Sequence, residues 1–142
     1  MRMKGYRKIM TPGFTLLDLT IALAIAALLA ALAWPSYMDT VRRQRRMDAL
    51  DALLRLQSAQ LRYRRDHGRY ADRLVDLGWT EPALSPAGHY LLRLEPRGAD
   101  GYLAVASPRS GSSQTADACR VIALDENGPA PGRSSHPSCW LR

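Results

Sequence analysis

Hydrophobic and polar positions change their period three times along this chain. Residues 14–34 are apolar apart from Asp18 and the two threonines Thr15 and Thr20, and 19–34 carry no charge at all. As a helix, 21 residues would span roughly 30 Å, the hydrocarbon thickness of a bilayer. Residues 38–65 contain no Gly or Pro and are rich in Arg, Ala, Leu and Gln, all good helix formers. Here Met47, Leu50, Leu54 and Leu61 recur at helical spacings, and Leu53 and Leu56 widen the stripe. Pro35 lies between the two stretches; inside a helix it removes a hydrogen bond and kinks the axis. The pattern predicts one long helix ending near Arg65. Its first half, 14–35, is apolar on all sides, and its second half, 36–66, is amphipathic.

Beyond it the period becomes two. His67-Gly68-Arg69-Tyr70 stops the helix, with Gly68 as a left-handed cap. A connection over 67–87 carries Leu74, Leu77 and Trp79, which are placed to pack back on the helix. Residues 90–94, 102–106 and 119–124 alternate as strands, separated by the Gly98-Ala99-Asp100-Gly101 turn and a loop from 108 to 113, and closed by Asn127-Gly128. Short turns imply an antiparallel meander over 88–128, whose apolar face would cover the helix stripe. The tail, 129–142, is rich in Gly, Pro and Ser. The fold class expected is α+β: a long N-terminal helix packed on a small antiparallel sheet of three to four strands.

Charge refines the reading of the N-terminus. The formal net charge of +7 falls to +3 once Arg2, Lys4, Arg7 and Lys8 are set aside, and no acid precedes residue 14. The high charge is thus partly a leader effect and weak support for a nucleic-acid partner. The apolar run is too long for an ordinary signal peptide, whose core is about 7–15 residues, so a membrane helix is expected. Its orientation is nearly tied: four cations precede the run, and Arg42, Arg43, Arg45 and Arg46 follow it. Those four arginines suit lipid phosphates or acids of a neighbouring subunit; a solvated helix surface is the alternative. Trp34 and Tyr37 suit a membrane interface. Asp18 is costly inside a bilayer. Either it reaches the headgroups one turn in, or it pairs with a cation during assembly.

Two cysteines, Cys119 and Cys139, follow this export-like start. A disulfide in an oxidising compartment is expected, with two reduced thiols as the alternative. It would tether the tail and Trp140 to the sheet. Catalytic chemistry is not indicated. No phosphate-cradling Gly-rich motif occurs, His67, His89 and His136 lack metal-ligand spacing, and no serine sits in a nucleophile elbow. No metal, cofactor or enzyme activity is expected.

Gly13-Phe14-Thr15-Leu16-Leu17, with an acid at Asp18 and proline at Pro35, resembles the class III signal of type IV pilins. Arg62-Tyr63 through Gly68-Arg69-Tyr70, then Gly101-Tyr102-Leu103-Ala104-Val105-Ala106-Ser107-Pro108, then Cys119 to Leu124, Asn127-Gly128 and Cys139-Trp140, resemble PilE-like minor pilins. The resemblance implies a leader, 1–13, cut between Gly13 and Phe14 by a prepilin peptidase, and N-methylation of Phe14. It places Asp18 where the family has glutamate, so the charge is kept and the reach is shorter by one methylene. It also gives Asp18 the role of an assembly salt bridge and Pro35 that of a helix kink.

The resemblance implies a minor pilin, an assembly subunit of a type IV pilus, with possible service in twitching motility or adhesion. The partners expected are other pilins in a helical filament, the peptidase and inner-membrane lipid. Before assembly the chain would span the inner membrane once, N-terminus cytoplasmic and globular part periplasmic; afterwards it would be extracellular. A DNA-receptor pilin for natural competence is the alternative, drawing on Arg93, Arg97, Arg109, Arg120 and Arg133 for phosphate contacts. A pseudopilin of type II secretion is a third reading.

Overall fold

The computed structural model describes residues 14–140; the leader 1–13, with Gly13, lies outside the described residues. The elements are one helix, α1 (Leu16–His67), and four strands, β1 (Tyr90–Pro96), β2 (Tyr102–Pro108), β3 (Ile122–Asp125) and β4 (Gly128–Pro129), with short 3-10 turns between and after them. The chain divides into two compact units, Met1–Tyr37 and Met38–Arg142.

In the first unit every residue from 14 to 37 is exposed. Leu16, Leu19, Leu23, Leu28 and Leu32 all show more than half of their surface, and Phe14 shows 93%. A soluble helix buries one face; this one buries none. By length and composition α1 can cross a membrane. Pro35 lies inside α1, which continues past it.

In the second unit α1 buries Ala49, Leu50, Ala52, Leu53, Leu56, Ala59 and Gln60. The first five of these form one core with Tyr90 and Leu92 of β1, Tyr102, Ala104 and Ala106 of β2, and Ile122 and Leu124 of β3. Alanines on both sides let helix and sheet approach closely, while Leu53 and Leu56 fill the depth. The stripe read from leucine and methionine spacing is therefore only half right. Leu50, Leu53 and Leu56 face the sheet, but Met47, Leu54 and Leu61 remain 44%, 48% and 54% exposed. At about 100° per residue these three fall within roughly 40° of one another and opposite the core face. The alanines, which leucine spacing ignores, decide which side is covered.

The sheet is a meander in the order β1-β2-β3-β4, antiparallel at each step. Tyr90 pairs with Pro108 and Pro96 with Tyr102; Ala106 pairs with Ile122 and Leu103 with Asp125. The second face carries Leu103, Val105 and Ala123, covered by Ala130 of the tail. Gly68, at φ +73°, ends α1 in the left-handed region that favours glycine, and its N–H meets the Arg64 carbonyl at 2.8 Å. Gly128, at φ +115°, opens β4.

Two buried glutamines and the half-buried Asp48 fasten the irregular segments. Gln60, fully buried, accepts from the Ala71 N–H at 2.8 Å and donates to the Ala71 carbonyl at 3.0 Å. Asp48 accepts from the Ser85 hydroxyl and from the Ala87 and His89 N–H groups. Gln114 donates to the Tyr90 hydroxyl at 2.8 Å and to the Arg42 carbonyl at 3.0 Å. A disulfide joins Cys119 and Cys139, Cα atoms 5.6 Å apart, both sulfurs in the core. The Trp140 indole donates to the Ala123 carbonyl at 3.0 Å, so the tail is tied to the sheet twice.

Candidate functional site

At the start of α1, Thr15 precedes the first helical residue. Its hydroxyl accepts from the Asp18 N–H at 3.2 Å, and the Asp18 carboxylate accepts from the Thr15 N–H at 3.0 Å and the Thr15 hydroxyl at 2.8 Å. This is a capping box, with aspartate three residues past the cap in place of the usual Glu or Gln. It satisfies two donors that a helix N-terminus leaves open, and the negative charge suits that end of the helix. Sequence reasoning weighed headgroups and a distant cation for Asp18 and missed Thr15, although the Thr-x-x-acid spacing was in plain view. Phe14, just before the helix, and Asp18, within its first turn, are both exposed.

Two apolar surfaces of α1 are uncovered. One is the whole of 14–36; the other is the line Met47, Leu54 and Leu61, flanked by Asp51, Arg55 and Ser58. Spacings of seven repeat along that line, the pattern by which one helix presents an apolar seam to another.

The four arginines after the apolar run do not form a solvated ring. Arg46 makes a two-point ion pair with Asp117, at 3.1 and 2.7 Å, and both side chains are largely buried. Arg45 donates to the Ser113 hydroxyl. Arg42 meets Asp39 at 3.1 Å. Arg43 alone of the four is exposed with no ion pair among the described residues. Two of the four thus hold the 113–117 segment against α1, a use invisible without the long-range contact.

Arginines elsewhere fall into two groups. In the later helix and its following loop, Arg55 pairs with Asp51, Arg64 with Asp100, Arg65 with Asp66, Arg69 with Asp72, and Arg73 with Asp76, while Arg62 is exposed with no ion pair among the described residues. Arg73 holds the Asp76 carboxyl below its ordinary range through the hydrogen bond between them. Arg93, Arg97, Arg109, Arg120 and Arg133 are exposed and make no ion pair among the described residues. They do not converge on one spot. Arg93 lies opposite Val105, which is opposite Ala123, and so occupies the sheet face away from α1. Arg133 ends a turn over that same face. Arg97 and Arg109 lie at opposite ends of the β1–β2 hairpin, on the order of 25 Å apart by strand rise, and Arg120 just precedes β3. Among the described residues no three His, Cys, Asp or Glu side chains are grouped to hold a metal ion.

Comparison with known proteins places these features. Residues 35–123 match the family described as "Type IV minor pilin ComP, DNA uptake sequence receptor". Over 83 residues the chain is 32% identical to a type IV major pilin protein PilE1 of Neisseria gonorrhoeae, covering 58% of this chain and 50% of that protein. Over 103 residues it is 33% identical to a type II secretion system core protein G of Pectobacterium carotovorum subsp. carotovorum, covering 70% and 59%. The chain spans about half the length of the curated relatives it matches. The family match begins at Pro35, so the uncovered apolar segment before it is an independent observation.

Proposed function

Because this chain belongs to the type IV minor pilin family, we propose that it is a structural subunit of a type IV pilus rather than a catalyst. The observation that carries this is the helix whose residues 14–37 are all exposed. Such a surface is stable in lipid, or against other apolar helices, and in little else. Before assembly the segment spans the inner membrane, N-terminus cytoplasmic and globular part periplasmic. A prepilin peptidase removes 1–13 and Phe14 is methylated, leaving 129 of the 142 residues. In the filament the apolar helix exchanges lipid for neighbouring helices, and the Met47, Leu54 and Leu61 line offers them a second contact. The freed α-amino group of Phe14 places a positive charge in that apolar setting. Asp18, its own or a neighbour's, offsets it. The Cys119–Cys139 disulfide keeps the domain folded outside the cell.

Intact mass and N-terminal sequencing of protein from sheared pili test this together. The expected species begins at methylated Phe14 and is two hydrogens lighter for the disulfide. An intact leader on filament-borne protein, or no protein in the filament fraction, overturns it.

A second reading is DNA capture, favoured by the matched family's description and by Arg93, Arg97, Arg109, Arg120 and Arg133, which are exposed and make no ion pair among the described residues. Arg93 and Arg133, on one face, are the first candidates for phosphate contacts. The type II secretion relative is a pilin-like protein of another machine, and no feature of this chain favours that role over the pilus.

A further inference from the structure

A pocket beside α1 has no part in the reading above. Its volume is about 260 Å³, and Asp39, Arg42, Arg43, Arg46 and Asp117 line it with the small residues at 116 and 118. Both carboxylates are already engaged: Asp117 holds Arg46 at two points, and Asp39 meets Arg42. Three cations face two acids. Arg43 is left without an ion pair among the described residues, and the Arg42 Nε is buried with no hydrogen-bond partner. The wall is held in place from behind. Gln114, fully buried, grips the Arg42 carbonyl, and Arg45 is fastened to Ser113.

We propose that this pocket receives the phosphate of an anionic phospholipid headgroup while the chain is anchored in the membrane. The proposal rests on the anchoring described under the proposed function. Its chemistry is that of guanidinium: planar forks present paired donors to phosphate oxygens, which lysine cannot do. A phosphate would supply the acceptor that Arg42 Nε lacks and the counter-charge that Arg43 lacks. Position agrees. Arg42 follows Tyr37, the last residue of the apolar unit, by only five residues in sequence. A nucleic-acid phosphate fits less well. Asp39 and Asp117 flank the pocket and disfavour a continuous polyanion, but leave room for one recessed phosphate.

The test is native mass spectrometry of the full chain in detergent micelles, offered phosphatidylglycerol or phosphatidylcholine. The wild type is expected to retain phosphatidylglycerol preferentially. Arg43→Gln, which breaks no ion pair, should lower that retention about fivefold, the scale for one basic residue at a lipid surface. Arg69→Gln, elsewhere on the surface, should not. Equal retention by wild type and Arg43→Gln overturns the proposal. So does displacement of the lipid by a short DNA duplex, which would make the pocket a polyanion site. Displacement by millimolar inorganic phosphate that itself stays bound would assign the pocket to free phosphate instead. Membrane fractionation of the same proteins keeps the two readings apart: a wild type found outside the membrane sinks the anchor, whereas membrane-bound protein with unselective lipid retention sinks only the pocket.

Discussion

Thr15 and Asp18 share three hydrogen bonds across the first turn of α1. The same carboxylate caps its own helix and, in the filament proposed above, would also face the freed amino group. Both uses need a charge near that end and neither needs the extra methylene of glutamate. Asp18→Glu, which matches the usual capping-box residue, is expected to keep pilus incorporation near wild type. Asp18→Ala should leave leader removal intact and lower recovery of the protein in sheared pili. Immunoblots of the sheared and membrane fractions read both steps, and normal pilus recovery of Asp18→Ala would remove Asp18 from assembly.

The uncovered helix line gives a separation of folding from assembly. Replacing Met47, Leu54 and Leu61 together by Gln is expected to shift the melting transition little, since all three are exposed. Their incorporation into filaments should fall. Leu53→Ala, by contrast, opens a cavity in the core and should cost about 2–5 kcal/mol. Calorimetry in detergent and pilus shearing measure the two effects. A triple variant that assembles normally would show that the line is not a helix contact.

Gln60 is the side chain on which the connection after α1 depends. Gln60→Ala strips both the Ala71 N–H and carbonyl of partners in a buried place. At about 1–3 kcal/mol per unsatisfied group, the expected loss is several kcal/mol, with the earliest rise in amide exchange at 69–72.

Tyr102 sets an alkaline limit. Burial pushes its phenol well above the usual range, with Tyr70 and Glu126 adding to the shift, and its hydroxyl has no hydrogen-bond partner among the described residues. The folded state prefers the protonated phenol. The associated stability is complete below the unfolded value near 10.0 and is lost as pH rises above it. Tyr102→Phe is expected to be neutral or slightly stabilising at pH 7, since it removes an unpaired buried hydroxyl, and to flatten the decline above pH 10. Denaturant unfolding at several pH values measures it. Tyr90, also raised by burial, has Gln114 as a partner and should tolerate the same change less well.

For DNA capture, Arg93→Gln with Arg133→Gln should weaken duplex binding across sequences and reduce the slope of log affinity against log salt by about 2, one per lost phosphate contact. Gel shifts at two salt concentrations suffice. Wild-type protein that binds nothing at low salt removes the reading.

Much of the fold was legible from periodicity. The apolar run, the long helix, the Gly68 stop and three strands followed from spacing and turn residues, because each depends on neighbours close in sequence. β4 was not read as a strand, being two residues long. The parts that escaped depend on distance. Asp117 lies 71 residues from Arg46, and Gln114 lies 72 from Arg42; no local pattern joins them. The face of α1 that meets the sheet is marked by alanines, whose small size carries no hydrophobic signal of its own. The Thr15–Asp18 cap is local, a Thr-x-x-acid spacing at the helix start.

The division of arginines has a further consequence for how such a surface changes over generations. Charges joined to acids, such as Arg46 with Asp117, are fixed by the fold; altering one strands its partner. Arg93, Arg97, Arg109, Arg120 and Arg133 are tied to no acid among the described residues. Each can drift to another residue without a compensating change elsewhere. The outward charge pattern can therefore diversify on a scaffold that stays constant.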